Sequence, residues 1–210
     1  FTADEQQSIA ALAEQHNVIV VADEVHADLA YDASHIPFAT VNPEIAARTI
    51  TASAASKAFN FAGLRCGFVI AGDRRLHEQV QSVPIRDRTL ASLAGYEATI
   101  AAYGGGANWL ESLHRHLREM RDHVIGRLAM IDESLVVANP QASYLLWTDW
   151  RQINLTPDPA TYLRENAGVA LSSGDDFGPS GTGFLRLNFG TSRAILDEAL
   201  DRIEDALAAS

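Results

Sequence analysis

Five apolar residues in a row, Val18-Ile19-Val20-Val21-Ala22, run directly into Asp23. A strand with one face in water alternates apolar and polar side chains. An unbroken run marks a strand covered on both faces, as in a parallel sheet between layers of helices. This restricts the first part of the chain to an α/β architecture. Arg48-Thr49-Ile50-Thr51-Ala52-Ser53 reads as the next strand, and Gly67-Phe68-Val69-Ile70-Ala71-Gly72 as another, short and buried. Open α/β sheets bind ligands beyond the carboxyl ends of their strands, which is where Asp23 falls.

The elements around these strands follow from caps and periodicity. Thr2-Ala3-Asp4-Glu5 is a capping box, and it opens a helix whose buried face carries Ile9, Leu12 and Ala13 and which ends near His16-Asn17. Helical patterns follow at 73–83 and 89–103. The Gly104-Gly105-Gly106 run breaks the chain, and Asn108-x-x-Glu111 opens a long helix to about 132. His114, His116 and His123 lie on it without the carboxylates that would complete a metal site, so they read as a solvated face. Beyond it the pattern changes to strands at 135–138 and 143–148, a helix near 157–166, short strands at 169–172 and 184–189, and a terminal helix from Ser192 to about Ala208. Tyr144 and Trp147 are expected in the core of this second, α+β part.

The second strand delivers Ser56 and Lys57 into Ala58-Phe59-Asn60-Phe61-Ala62-Gly63-Leu64-Arg65. Ala54, Ala55, Ala58, Phe59, Phe61, Ala62 and Leu64 describe a buried segment. An amine desolvated among such neighbours acts as nucleophile and base. A Ser hydroxyl and an Arg fork are groups that hold phosphate. A reactive amine beside a phosphate grip points to pyridoxal phosphate (PLP), held covalently on Lys57.

Ser-Lys-x-x-Asn-x-x-Gly-Leu-Arg-x-Gly resembles the lysine motif of fold-type I PLP enzymes, the aminotransferase class I/II superfamily. Asp23 lies 34 positions before Lys57, matching the acid that in this superfamily meets the pyridine nitrogen. Gly183-Phe184-Leu185-Arg186-Leu187-Asn188 is similar to the segment whose Arg, here Arg186, grips the substrate α-carboxylate. A charged fork alternating with apolar residues in a strand needs a partner, either a local acid in a salt bridge or, the better fit, a carboxylate clamped by both its arms. The resemblance implies the aspartate aminotransferase-like fold: part of the large-domain parallel-type sheet with a carboxyl-terminal small domain. On this reading 1–105 is a remnant of the PLP-binding domain, 106–132 an interdomain helix and 133–210 the small domain.

Asp23-Glu24-Val25-His26-Ala27-Asp28-Leu29, followed by His35-Ile36-Pro37-Phe38, is similar to the MalY/PatB subgroup of carbon–sulfur β-lyases, which includes cystathionine β-lyases. His26 stands where many aminotransferases have a Tyr that donates to the PLP 3′-oxygen, and Ala54 where many have a phosphate-binding Ser. Ser56 and Arg65, with Ser53 as a further candidate, remain for the phosphate. The resemblance implies α,β-elimination on cystathionine or a related cysteine S-conjugate, giving thiol, pyruvate and ammonia. The same core residues serve an aminotransferase, and a non-catalytic regulator of the same fold, or an inactive fragment, is the third alternative.

The net charge of −11 repels phosphate backbones and anionic membranes, so neither nucleic acid nor a membrane is an expected partner. A single cysteine, Cys66, no signal peptide and no apolar run of spanning length agree with a cytoplasmic protein. The phosphate loop and ring-stacking aromatic of the superfamily are not identifiable. The expectation is therefore a carboxyl-terminal half whose parent is a homodimer acting on an amino acid, and which turns over little by itself.

Overall fold

The computed structural model describes residues 1–84 and 90–209. The chain divides into two compact units, Phe1–Leu113 and His114–Ser210.

In the first unit, α1 (Ala3–Gln15) opens on the expected box: Thr2 Oγ1 accepts from the Glu5 N–H, and Glu5 accepts from the Thr2 N–H at 2.7 Å. Its buried stripe is Gln6, Ala10 and Ala13 rather than the expected Ile9, Leu12 and Ala13; Ile9 and Leu12 are exposed. The stripe faces Phe38 and Ile45, with Val20, Ala22 and Val41 packed against the same cluster. The strands β1 (Val20–Asp23), β2 (Thr49–Ser53) and β3 (Phe68–Ala71) form one sheet in that order. β1 and β2 are parallel, with Asp23 opposite Ala52; β3 returns antiparallel, with Phe68 opposite Ser53. A short helix, α2 (Pro43–Ala46), capped by Asn42, connects the first two strands.

The apolar runs of β1 and β3 are not covered on both faces. Val21 is 67% exposed, Val69 52% and Ile70 57%. α1 and the Phe38–Ile45 cluster cover the face of β1 that carries Val20 and Ala22; Val21 is open on its other face, and β3 is open on both, since neighbouring Val69 and Ile70 point to opposite faces. The remaining helices of this unit are α3 (Arg74–Ser82), capped by Asp73, and α4 (Leu93–Gly105), capped by Ser92. The sequence predicts the latter from 89, and Thr89 lies outside the described residues. The long α5 (Ala107–Ile131) follows, and the division between the units falls inside it.

In the second unit α5 buries Leu117, Met120, Val124 and Leu128, at the spacing of one helical face. The strands β4 (Val136–Val137), β5 (Leu145–Asp149), β6 (Ser172–Ser173) and β7 (Phe184–Asn188) form an antiparallel sheet in the order β4-β5-β7-β6. Leu146, Thr148, Leu185 and Leu187 are its buried face. The helix near 157–166 appears as α6 (Pro159–Tyr162) continued by a π turn, Leu163–Ala167. The terminal helix α7 (Arg193–Ala208) is capped by Ser192 and buries Leu196, Leu200, Ile203 and Ala206.

The expected solvated histidine face is a correction. His116 Nε2 lies 2.8 Å from the Thr191 carbonyl, and His123 Nε2 lies 2.5 Å from Asp197 Oδ1, with Arg127 bridging Asp201 and Glu204 alongside. These rings tie α5 to the start of α7, and His123 holds the Asp197 carboxyl below its usual range. Among the described residues no His, Cys, Asp and Glu group is arranged to hold a metal, and no helix is long and apolar enough to cross a membrane.

Candidate active site

Parallel strands β1 and β2 end side by side, so the segments following them leave the sheet at one edge. Asp23, the last residue of β1, is exposed. Its Oδ1 accepts from the Val25 N–H at 3.2 Å, and its other oxygen meets no donor among the described residues. Lys57 follows four residues after the end of β2. Its backbone setting is fixed on both sides: Phe59 N–H donates to Ala55 O and Phe61 N–H to Ser56 O, each at 3.0 Å, and Trp109 Nε1–H donates to Ala58 O at 3.0 Å. Ala55 and Ala58 are fully buried. Gly106 has a steric reason, since a Cβ there would lie 2.3 Å from the Phe59 ring.

The expected burial holds at Ala54, Ala55 and Ala58 but not across the segment. Phe59, Phe61 and Leu64 are half-buried and Ala62 is exposed. Lys57 is itself half-buried, an amine on a fixed turn with access to water. Ser56 and Arg65 each stand three residues beyond the last rung, Ser53 opposite Phe68, on its two strands. Arg65 is exposed, has no carboxylate partner among the described residues, and sits at φ 51°, a left-handed conformation uncommon outside glycine. α4 pins it there: Ser92 Oγ–H donates to Leu64 O at 2.6 Å, and a Cβ on Gly95 would come within 2.5 Å of that same oxygen. His26 is half-buried and precedes the 3-10 turn Ala27–Leu29, three residues past Asp23.

Arg186 lies on β7 in the second unit, on the sheet face opposite the core. Its guanidinium is 4.7 Å over the Phe177 ring and 3.3 Å from Ser172 Oγ, and among the described residues no carboxylate pairs with it. Trp147, directly across in register, stacks on Phe184 at 5.5 Å and meets Phe177 edge-on at 5.4 Å. The core expectation for Trp147 is therefore corrected: odd-numbered positions of β5 point away from Leu146, Thr148 and Trp150. A cavity of about 420 Å³ lies at the other end of the first sheet, lined by Asn17, Arg48, Asp73 and Arg75 among others, and takes in none of the residues named above.

The model of the family described as aminotransferase class I and II matches residues 1–203. The chain belongs to this family. It is 34% identical over 198 residues to cystathionine beta-lyase PatB of Bacillus subtilis, a match covering 92% of this chain and 51% of PatB. The structure of the PLP-bound C–S lyase from Staphylococcus hominis superposes with a TM-score of 0.90 at 26% identity, over 99% of this chain and 55% of that one. The aromatic aminotransferase from Pyrococcus horikoshii gives 0.90 at 27% identity, over 100% and 56%. The chain spans about half the length of the curated relatives it matches.

Three further residues of this aminotransferase-family chain surround the Asp23 edge and were not singled out for a role from sequence. Tyr103 O–H donates to Asp28 Oδ2 at 3.1 Å, with Ser53 also in reach; burial first, then the Asp28 charge, push the phenol up to about 12. Its ring edges onto Phe59 and Phe68. Glu24 spends both carboxylate oxygens on the loop ahead of it, at Phe38 N and His35 Nε2. His35, a family marker in the sequence, is thus a partner of Glu24. An acid flanking a motif gives no sign in sequence of which distant donor it will meet.

Proposed function

We propose that this chain supplies the lysine- and arginine-bearing half of a PLP-dependent carbon–sulfur β-lyase that acts on cystathionine or a related cysteine S-conjugate. The observation that carries the reading is the Lys57 amine on a turn fixed by backbone bonds and Trp109, leaving the same sheet edge as an Asp23 carboxylate with one oxygen open. The residues present fit PLP: an amine, an exposed acid, the Ser56 hydroxyl and an Arg65 cation that meets no carboxylate among the described residues, in a pinned left-handed conformation. Bound there, PLP supplies an electron sink for the pair left when the substrate Cα proton departs.

Lys57 would hold the cofactor, and its amine would take the substrate Cα proton. Asp23 would be the acceptor for the proton on the pyridine nitrogen. Arg65 and Ser56 would donate to the phosphate, with Ser53 as a further candidate, and a ring N–H of His26 would donate to the 3′-oxygen. Arg186, over the Phe177 ring, would grip the substrate α-carboxylate with its fork. Loss of the thiolate from Cβ, followed by addition of one water, gives thiol, pyruvate and ammonia.

The likeness at His26 and His35, together with that to cystathionine beta-lyase PatB of Bacillus subtilis, favours elimination. The likeness to the Pyrococcus aminotransferase supports amino transfer as the second reading. The open faces of β1 and β3 support a further polypeptide, the remainder of the family fold, packing there. The complete protein is proposed to be a cytoplasmic homodimer. The test is an assay of the complete protein for pyruvate from cystathionine beside amino transfer to a keto acid. Pyruvate release bears out the lyase; brisk transfer without pyruvate replaces it with the aminotransferase.

A further inference from the structure

Glu24 follows Asp23 directly, and every polar group it carries is engaged. Its N–H donates to Ala52 O at 2.8 Å, extending the β1–β2 ladder one residue past Asp23. Its carbonyl accepts from the Ala27 N–H at 2.9 Å, which sets the turn after Val25, and lies 3.4 Å from Ser53 Oγ. Its Oε1 accepts from the Phe38 N–H at 2.9 Å, and its Oε2 lies 3.1 Å from His35 Nε2, with the Glu24 side chain only 11% exposed.

The segment 35–38 at the far end of these contacts is anchored independently. Phe38 is buried in the cluster with Ala10, Ala13 and Ile45, and Gln6 Nε2–H donates to Ile36 O at 2.9 Å. Two fixed donors thus converge on one carboxylate, which accepts only and has an oxygen for each. The carboxylate in turn fixes the peptide units on either side of it, Asp23 on one and the His26 turn on the other. A buried acid held this way costs desolvation, which its two donors offset, and removing it would leave the Phe38 N–H unsatisfied.

We infer that Glu24 is a positioning residue: it locks the end of β1, and with it the Asp23 carboxylate and the His26 turn, onto the core-anchored segment 35–38. The inference rests on the reading of Asp23 as the acid beside the cofactor ring. Both Glu24 carboxylate oxygens are spent on segment 35–38. The orientation it fixes determines how well Asp23 meets the ring nitrogen.

The experiment uses the complete protein with PLP, measuring cofactor affinity by titration, the absorption band of the bound cofactor, and the melting temperature without cofactor. Glu24→Ala is expected to weaken PLP binding about 10-fold or more and to shift the band, as loss of a supporting hydrogen-bond partner does at other preorganised sites. Glu24→Gln, which keeps an acceptor for the Phe38 N–H, and His35→Ala, which removes the other tether, are each expected to give a smaller loss in the same direction. Those two variants carry the test if Glu24→Ala does not fold. A lower melting temperature with unchanged affinity and unchanged band in all folded variants overturns the inference. Asp23→Asn separates the two levels. If it disturbs affinity and band while the Glu24 and His35 variants do not, only the positioning role fails; if it also changes nothing, the reading of Asp23 falls with it.

Discussion

In the four-stranded sheet of the second unit, β5 and β7 alternate as their surroundings require: Leu146, Thr148, Leu185 and Leu187 go inward, and Trp147, Phe184 and Arg186 go outward. In the three-stranded sheet of the first unit, Val20 and Ala22 pack on the Phe38–Ile45 cluster, yet Val21, Val69 and Ile70 remain more than half exposed. Strands that alternate have found the cover their pattern asks for. Strands that are apolar throughout ask for cover on both faces; β1 has it on one, and β3, with neighbouring Val69 and Ile70 both exposed, on neither. The uncovered sheet is also the one whose edge carries Asp23 and leads to Lys57, so the proposed chemistry falls on the half of the chain whose packing is least complete.

That contrast can be broken or sharpened by substitution. The largest effect is expected on the closed sheet, where Leu146→Ala, at a fully buried position, should cost about 3 kcal/mol of stability in a denaturant melt of the second unit's signal. Next comes the outward face of that same sheet. Arg186→Ala should raise the KM for amino-acid substrate about 10- to 100-fold in the complete protein, the worth of a hydrogen-bonded charge, while leaving the melting transition nearly in place.

At the open sheet's edge, Tyr103 gives a pH-resolved signal. Its folded value is raised to about 12 from the ordinary 10.0 by burial and the Asp28 charge. The raised value means the neutral phenol is the form the fold favours. Its contribution is whole below pH 10.0 and is lost as pH rises from there through about 12. Ultraviolet titration of tyrosinate should show one late-titrating group that Tyr103→Phe removes and Asp28→Asn moves back toward 10.0. The smallest effect is expected at Val21→Thr on the open face of β1, within about 0.5 kcal/mol in this chain, as for other surface substitutions. A loss as large as that of Leu146→Ala would erase the distinction between the two sheets.

What could be read from sequence was local. Thr2 with Glu5, and Ser192 before α7, announce helix starts because the side chain satisfies a backbone N–H a few residues on. The β strands, the long helix and the spacing of Asp23 and Lys57 are likewise properties of short stretches. What could not be read was pairing across distance. Tyr103 and Asp28 are 75 residues apart, His123 and Asp197 are 74, and nothing in either neighbourhood names the other. Burial misled where it depends on what lies outside the stretch: Ile9 and Leu12 look like a helix core face, and Val21 like a covered strand, because apolar residues report the environment they suit rather than the one they meet. Arg65 hid its left-handed backbone, since only glycine advertises that conformation.

The account stands on the Lys57 amine. Borohydride reduction of the complete protein loaded with PLP, followed by peptide mass mapping, is predicted to place a single phosphopyridoxyl group on Lys57, with visible absorbance and label both absent from Lys57→Ala. Label recovered on another lysine or on the amino terminus, or a Lys57→Ala protein that still holds the cofactor covalently, would contradict it.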